Sequence, residues 1–290
     1  ISRGLVGSEM CIRDSSNTGS AYIYDFNGTA WTQTQKLVAS DAASSDYFGQ
    51  GGVAISGEWA IVSSPRDDDD GSSSGSVYVF RKVASTWTEF QKLTASDAAA
   101  SDSFGGDSTA SPWTVENTRA VDIEGNILAV GAHLDDDNGS ASGSVYIFEF
   151  DGTNWVETEK LTQSDGAAGD EFGRTVSVSG DRVVVGSQKD DDDGSNSGSV
   201  VVFEKSGAVW SETHKIAASD TAAGDRFGNS ISIDGDRLVV GAYQDDDGGS
   251  SSGSAYIFDY NSGTDSWDET QKLAASDAAV SYTHLRAHET

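Results

Sequence analysis

The dipeptide Phe-Gly recurs at Phe48, Phe104, Phe172 and Phe227, and a tryptophan recurs at Trp31, Trp87, Trp155, Trp210 and Trp267. The two series advance in step, by 56, 68 and 55 residues, and the tryptophans add a last step of 57. The long step has a local cause, since GDSTASPWTVENTRA (Gly106 to Ala120) interrupts one unit. A period of this length means that one supersecondary unit is repeated, and that each copy needs its neighbours to bury its apolar surface.

A unit read from Phe227 is FGNSISIDGDRLVVGAYQDDDGGSSSGSAYIFDYNSGTDSWDETQKLAASD. Its NSISI alternates polar and apolar residues, as a half-buried strand does, whereas RLVVGA and SAYIFDY are apolar almost throughout, as strands buried on both faces are. SWDETQKLAA is more polar and suits an outer strand. The turns between them, such as Asp234 to Asp236 and Asp151 to Asn154, supply Gly, Asn and Asp where φ must be positive or a side chain must cap the turn. Four antiparallel strands per unit make a propeller blade. A β-solenoid is the competing assembly, but its coils are shorter and lack this hairpin punctuation. The expected fold is therefore an all-β β-propeller of four-stranded antiparallel blades. Four complete blades begin at the Phe-Gly pairs, after an outer half-blade (Gly19 to Leu37), and the whole is expected to be a fragment of a larger propeller. Whether it closes as a ring is left open.

Both ends fall outside this pattern. LVGSEMCIRDS (Leu5 to Ser15) and VSYTHLRAHE (Val280 to Glu289) can be encoded by opposite strands of one DNA string, which resembles a transposon-type sequencing-library adapter. Residues 1–15 and 280–290 are read as translated adapter, and 16–279 as the propeller, with blade units starting near 48, 104, 172 and 227. The only cysteine, Cys11, and the only methionine, Met10, fall in the adapter stretch, so a thiol-based role has no footing. The net charge of −29 argues against nucleic acid and against anionic membrane surfaces, and favours cations or basic partners. No run approaches the roughly 20 apolar residues that span a bilayer.

The stretches FGNSISI…GDRLVVGAYQDDDGGSSSGSAYIF and EFGRTVSVSGDRVVVGSQKDDDDGSNSGSVVVF resemble FG-GAP repeats, the blades of the integrin α-subunit head and of many bacterial extracellular proteins. The resemblance covers residues 16–279. It implies a β-propeller outside the cytoplasm that often binds calcium. The integrin-type calcium loop spaces its acids as D-x-D-x-D-G between strands one and two; here that hairpin is only IDGDR or VSGDR, so the family's metal residues are not carried over.

In an up-and-down blade, the loop from strand two to three shares a face with the linker from strand four to the next strand one. The runs Asp67 to Asp70, Asp135 to Asp137, Asp190 to Asp193 and Asp245 to Asp247 occupy the first kind of loop. Linkers such as ASDAASSDYFG and QSDGAAGDEFG occupy the second, so over half of the acidic residues of 16–279 fall on one face. Carboxylate-dense loops suit Ca²⁺, which takes about 6 to 8 oxygen ligands. Consecutive residues of an extended loop point to opposite sides, so only alternate acids can converge. The candidate calcium ligands are Asp67 and Asp69, Asp135 and Asp137, Asp190 and Asp192, and Asp245 and Asp247. The alternative is a solvated Asp/Gly/Ser turn kept acidic for solubility.

Lys36, Lys92, Lys160, Lys215 and Lys272 recur in every unit and are read as part of the blade, in an inter-blade ion pair. His133 and His214 belong to no repeated site and are read as ordinary surface residues. The recurring tryptophans read as packing in preference to sugar platforms. Trp113, in the interrupting segment, is the candidate partner contact. No nucleophile–base pair, histidine cluster or phosphate-cradling loop stands out. The expectation is a non-catalytic binding or adhesion module of a secreted or cell-surface protein, with a protein or glycan partner. The alternatives are the propeller portion of a secreted enzyme whose catalytic domain lies elsewhere, and a purely structural repeat array.

Overall fold

The computed structural model describes residues 17–106 and 119–276. Among them every regular element is a strand. The half-blade is β1 (Ala21–Phe26) and β2 (Trp31–Leu37). The first full blade is β3 (Val53–Ser56), β4 (Trp59–Ser64), β5 (Ser76–Val83) and β6 (Thr86–Leu93). The second is β7 (Val121–Glu124), β8 (Ile127–Ala132), β9 (Ser144–Phe150) and β10 (Trp155–Leu161). The third is β11 (Thr175–Ser179), β12 (Arg182–Ser187), β13 (Ser199–Ser206) and β14 (Val209–Ile216). The fourth is β15 (Phe227–Asp234), β16 (Arg237–Ala242), β17 (Ser254–Asn261) and β18 (Ser266–Ala274). Each sheet is an antiparallel meander in chain order, so the expected blades and half-blade are present.

The apolar core lies between blades. Ile61, Val77 and Val79 of the first full blade pack with Val121, Leu128 and Tyr146 of the second in one buried cluster, and each other junction carries its own. Strand two is buried along its whole length in β4, because both faces of that sheet are covered by neighbours. Trp87, Trp155, Trp210 and Trp267 are all buried, which makes them packing residues as read from their recurrence, but Trp31 of the half-blade is exposed and departs from that reading.

Blades are also stitched through the backbone. The amide of each blade's Phe-Gly phenylalanine donates to a carbonyl just before strand three of the preceding blade: Phe104 to Ser74 at 2.9 Å, Phe172 to Ser142 at 3.1 Å and Phe227 to Ser197 at 2.9 Å. The next residue, Gly143 in the second blade, sits at φ +85° with its Cα against the incoming chain, where an added Cβ would lie 2.0 Å from the Phe172 carbonyl oxygen. Only glycine allows both the left-handed backbone and that approach. The chain's Ser-Gly-Ser before strand three and its Phe-Gly are thus two sides of one contact.

A β-bulge interrupts the pairing of strands three and four in every unit, as between Val202 and Phe203. The extra residue on strand four is Thr34, Thr158, Thr213 or Thr270, whose hydroxyl donates to the facing strand's carbonyl, as in Thr213 to Val202 at 3.2 Å. In the first full blade it is Phe90, which instead packs on Trp59 and Phe150. A bulge re-aims the residues that follow it; here those are a Gln, Glu or His and then the recurrent lysine. Replacing Gly143 with alanine should lower unfolding free energy by roughly 2–4 kcal/mol, read by urea denaturation, because strain and a backbone clash add. The same change at Gly180, an open hairpin tip where a Cβ would meet nothing within 4 Å, should cost less.

Candidate functional site

Beyond the bulge, four of the five recurrent lysines, Lys92, Lys160, Lys215 and Lys272, reach into the acidic loops, while Lys36 of the half-blade lies over the Tyr22 ring. Lys160 Nζ lies 2.7 Å from Asp97, 2.9 Å from Asp135 and 2.5 Å from Asp137. Lys92 meets Asp41, Asp67 and Asp69 in the same way, Lys215 meets Asp165, Asp190 and Asp192, and Lys272 meets Asp220, Asp245 and Asp247. One acid comes from the linker that precedes the blade and two from the loop between strands two and three, which places the two kinds of loop on one face. Alternate aspartates of each run converge; Asp68, Asp136, Asp191 and Asp246 point away and are exposed.

The first aspartate of each converging pair is buried and the second is open to solvent: the Asp135 side chain is 4% exposed and that of Asp137 61%. In three blades a tyrosine completes the cluster. The Tyr146 hydroxyl is 2.7 Å from Asp97 Oδ1 and 2.9 Å from Asp135 Oδ2, so its single proton serves two carboxylates. The third blade has Val201 at the tyrosine position. There Gln163, where the other linkers carry alanine, donates to Asp165 at 2.8 Å and to Asp190 at 2.7 Å. An amide from the linker thus replaces a phenol from strand three.

Burial pushes the Asp97 carboxyl up, but hydrogen bonds from Lys160 and Tyr146 and the lysine's charge hold it below the ordinary aspartate value. Asp41, Asp220 and Asp245 are held low for the same reasons, and Asp165 and Asp190 by Lys215 with Gln163 in the tyrosine's place. A second set behaves oppositely. Asp46, Asp102, Asp170 and Asp225 each accept from a linker amide three residues back, such as Ala99 N–H to Asp102, yet burial and the nearby acid runs push their carboxyls up.

Two further contacts join the blades at the outer rim. Ser96 donates its amide and hydroxyl to the two carboxylate oxygens of Glu157, and the pattern repeats at Ser40, Ser164 and Ser219. Gln91 exchanges two hydrogen bonds with the backbone of Trp155, and Gln35 does so with Trp87. His214, at the corresponding position, instead contacts the Asp265 carbonyl at 3.0 Å.

At the inner rim the blades differ. The position after strand two carries Pro65, His133, Gln188 or Tyr243, and the residue before Phe-Gly is Tyr47, Ser103, Glu171 or Arg226. His133 is fully buried, which corrects its reading as a surface residue: it follows the buried end of β8 and lies close enough to Glu171 to act on its carboxylate. Arg174 and Lys189 bond Glu171 at 2.7 and 2.6 Å, while Gln188 accepts from Asn229 at 2.6 Å. Trp113 lies outside the described residues, as do the two adapter-like ends.

Two of the acid groups, Asp97–Asp135–Asp137 and Asp220–Asp245–Asp247, bring carboxylate oxygens within 4.8 Å of one another, as groups that could hold a metal ion do. Sequence reasoning set calcium against a solvated turn; the lysine it assigned to the blade is what the acids meet. The one available signal was the fixed co-occurrence of that lysine with the Asp runs.

A family model described as FG-GAP repeat matches residues 31–80, 87–111, 118–148, 155–203 and 210–258. Among solved structures, a crystal structure of a protein from Lactobacillus plantarum is similar at a TM-score of 0.56 and 13% identity, over 95% of this chain and 67% of that one. At that identity the likeness concerns the fold alone. No curated protein matches the chain.

Two outcomes test the site. The Gln163→Ala and Val201→Tyr changes should each destabilise alone, by lost donors and by overpacking, and the double variant should recover, with a coupling of roughly 0.5–3 kcal/mol in a double-mutant cycle. Stability should also depend on pH in two opposed ways. The raised carboxyls take up protons in the folded state above the ordinary value of 3.8, so they add stability as pH falls towards it. The lowered carboxyls contribute fully above 3.8 and lose that contribution as pH falls through their folded values. Thermal scans should show the Tm holding or rising from neutral pH to about 4.5, then falling steeply below about 3.8.

Proposed function

Since the chain belongs to the FG-GAP repeat family, we propose that it is a non-catalytic binding or adhesion module of a secreted or cell-surface protein, which presents its acidic propeller face to a protein or glycan partner. The observation that carries this reading is the division of labour on that face. In each run one set of aspartates is bound to lysine, while Asp68, Asp70, Asp136, Asp191, Asp193 and Asp246 stand exposed on loops the first set holds still. Rigid loops bearing unpaired charge lose little entropy on binding, and they steer partners of opposite charge.

The inner rim adds specificity. Its side chains change from blade to blade where the rest of the unit repeats, and a ligand that touches several blades would meet a different residue on each. The exposed acids would meet calcium only as a loose surface counter-ion that screens their charge. Among the described residues no helix is long and apolar enough to cross a membrane.

The full chain, immobilised, should bind members of a basic-protein array or a glycan array. A variant with Asp68→Asn, Asp136→Asn, Asp191→Asn and Asp246→Asn should bind the same members roughly tenfold more weakly at unchanged Tm. No binding on either array, or equal binding by the variant, would remove the acidic face from consideration.

A further inference from the structure

Calcium is the cation that the fold family brings to mind for acid-rich propeller loops, and the donor set decides whether it fits these. An ammonium group has three N–H donors and no acceptor. Each cluster offers it three carboxylates: Asp41, Asp67 and Asp69 around Lys92 at 2.6–2.9 Å, with the same three positions filled around Lys160, Lys215 and Lys272. The number of donors and acceptors matches in all four blades.

On the buried aspartate both carboxylate oxygens are already engaged. Asp135 Oδ1 accepts the amide of Asp137 at 3.2 Å while its Oδ2 takes Lys160 and Tyr146; Asp245 adds the Ser254 hydroxyl at 3.0 Å. The ammonium also has an aromatic ring beside it in three blades, Nζ lying 5.1 Å from the centre of the Tyr146 ring and 5.2 Å from those of Tyr78 and Tyr256. A calcium ion needs about 6 to 8 oxygens. To reach these three it would have to expel a resident positive charge.

The third blade shows which part of the cluster the fold keeps. Tyrosine gives way to Val201 and alanine to Gln163, but Lys215 and its three aspartates stay. We infer that these clusters are calcium-independent: each blade supplies its own cation, the ammonium of Lys92, Lys160, Lys215 or Lys272, at the point of convergence where a divalent ion would sit. The lysine fastens the preceding linker and the loop between strands two and three to the blade's outer strand.

Calorimetry of the full chain tests this. In chelator and in millimolar CaCl₂, with ionic strength matched by NaCl, the wild-type Tm should agree within about 2 °C, and a CaCl₂ titration should show no site tighter than about millimolar. Lys160→Met keeps the stem and deletes the charge; in chelator its Tm should fall by roughly 5–15 °C, because three acids are left without their cation. Should that variant not fold, Lys272→Met in the last blade reads the same loss. A wild-type Tm raised several degrees by calcium over matched NaCl, a tight calcium isotherm, or a Tm unmoved by the lysine change would overturn the inference.

Discussion

A four-stranded sheet whose middle strands are apolar on both faces cannot exist alone in water, and every other feature of this molecule follows from covering those faces. The cover is another copy of the same sheet, so the clusters around Val79 and Tyr146, or around Val202 and Phe258, belong to junctions and not to blades. Stability is then a sum over neighbours. Polar contacts cannot supply it, but they can set how each neighbour sits: the Phe172 amide on Ser142 at the Phe-Gly stitch, Ser96 on Glu157 at the outer rim, and the lysine among its acids on one face.

These polar contacts also answer an electrostatic problem. The chain has 18 basic residues against 47 acidic ones, and its loops bring many of the acids together. Free acid runs would repel one another over distances near the Debye length, about 8 Å in physiological salt. Four of the lysines are spent at the points of greatest crowding, each against three carboxylates, and the bulge on strand four aims them there. The acids held low by lysine and those raised by burial, such as Asp97 and Asp102, lie five residues apart in one linker, so that linker carries both signs of pH response.

The blades were legible in the chain because periodicity and alternation are backbone-level signals: Phe-Gly, the tryptophans and the change from NSISI to RLVVGA mark strands and boundaries directly. The convergence of alternate aspartates was legible too, because it needs only an extended loop. The cation they meet was not, since Lys160 lies 25 residues beyond Asp135 and nothing local links them. The exchange of Tyr for Val201 with Ala for Gln163 was equally hidden, being a compensation between separate strands. His133 was misjudged because its counterparts in other blades are Pro, Gln and Tyr, a set that says nothing of burial; its place just beyond the buried end of β8 decides it.

The lysine cluster has a consequence for how such a chain grows. Its members run from Asp41 to Lys92, from Asp97 to Lys160, from Asp165 to Lys215 and from Asp220 to Lys272, and no two spans overlap. A genetic duplication that copies one such span carries the lysine together with its three acids wherever it is inserted. Cuts made inside a span would strand acids on one side and their lysine on the other, so the heritable module is offset from the visible blade.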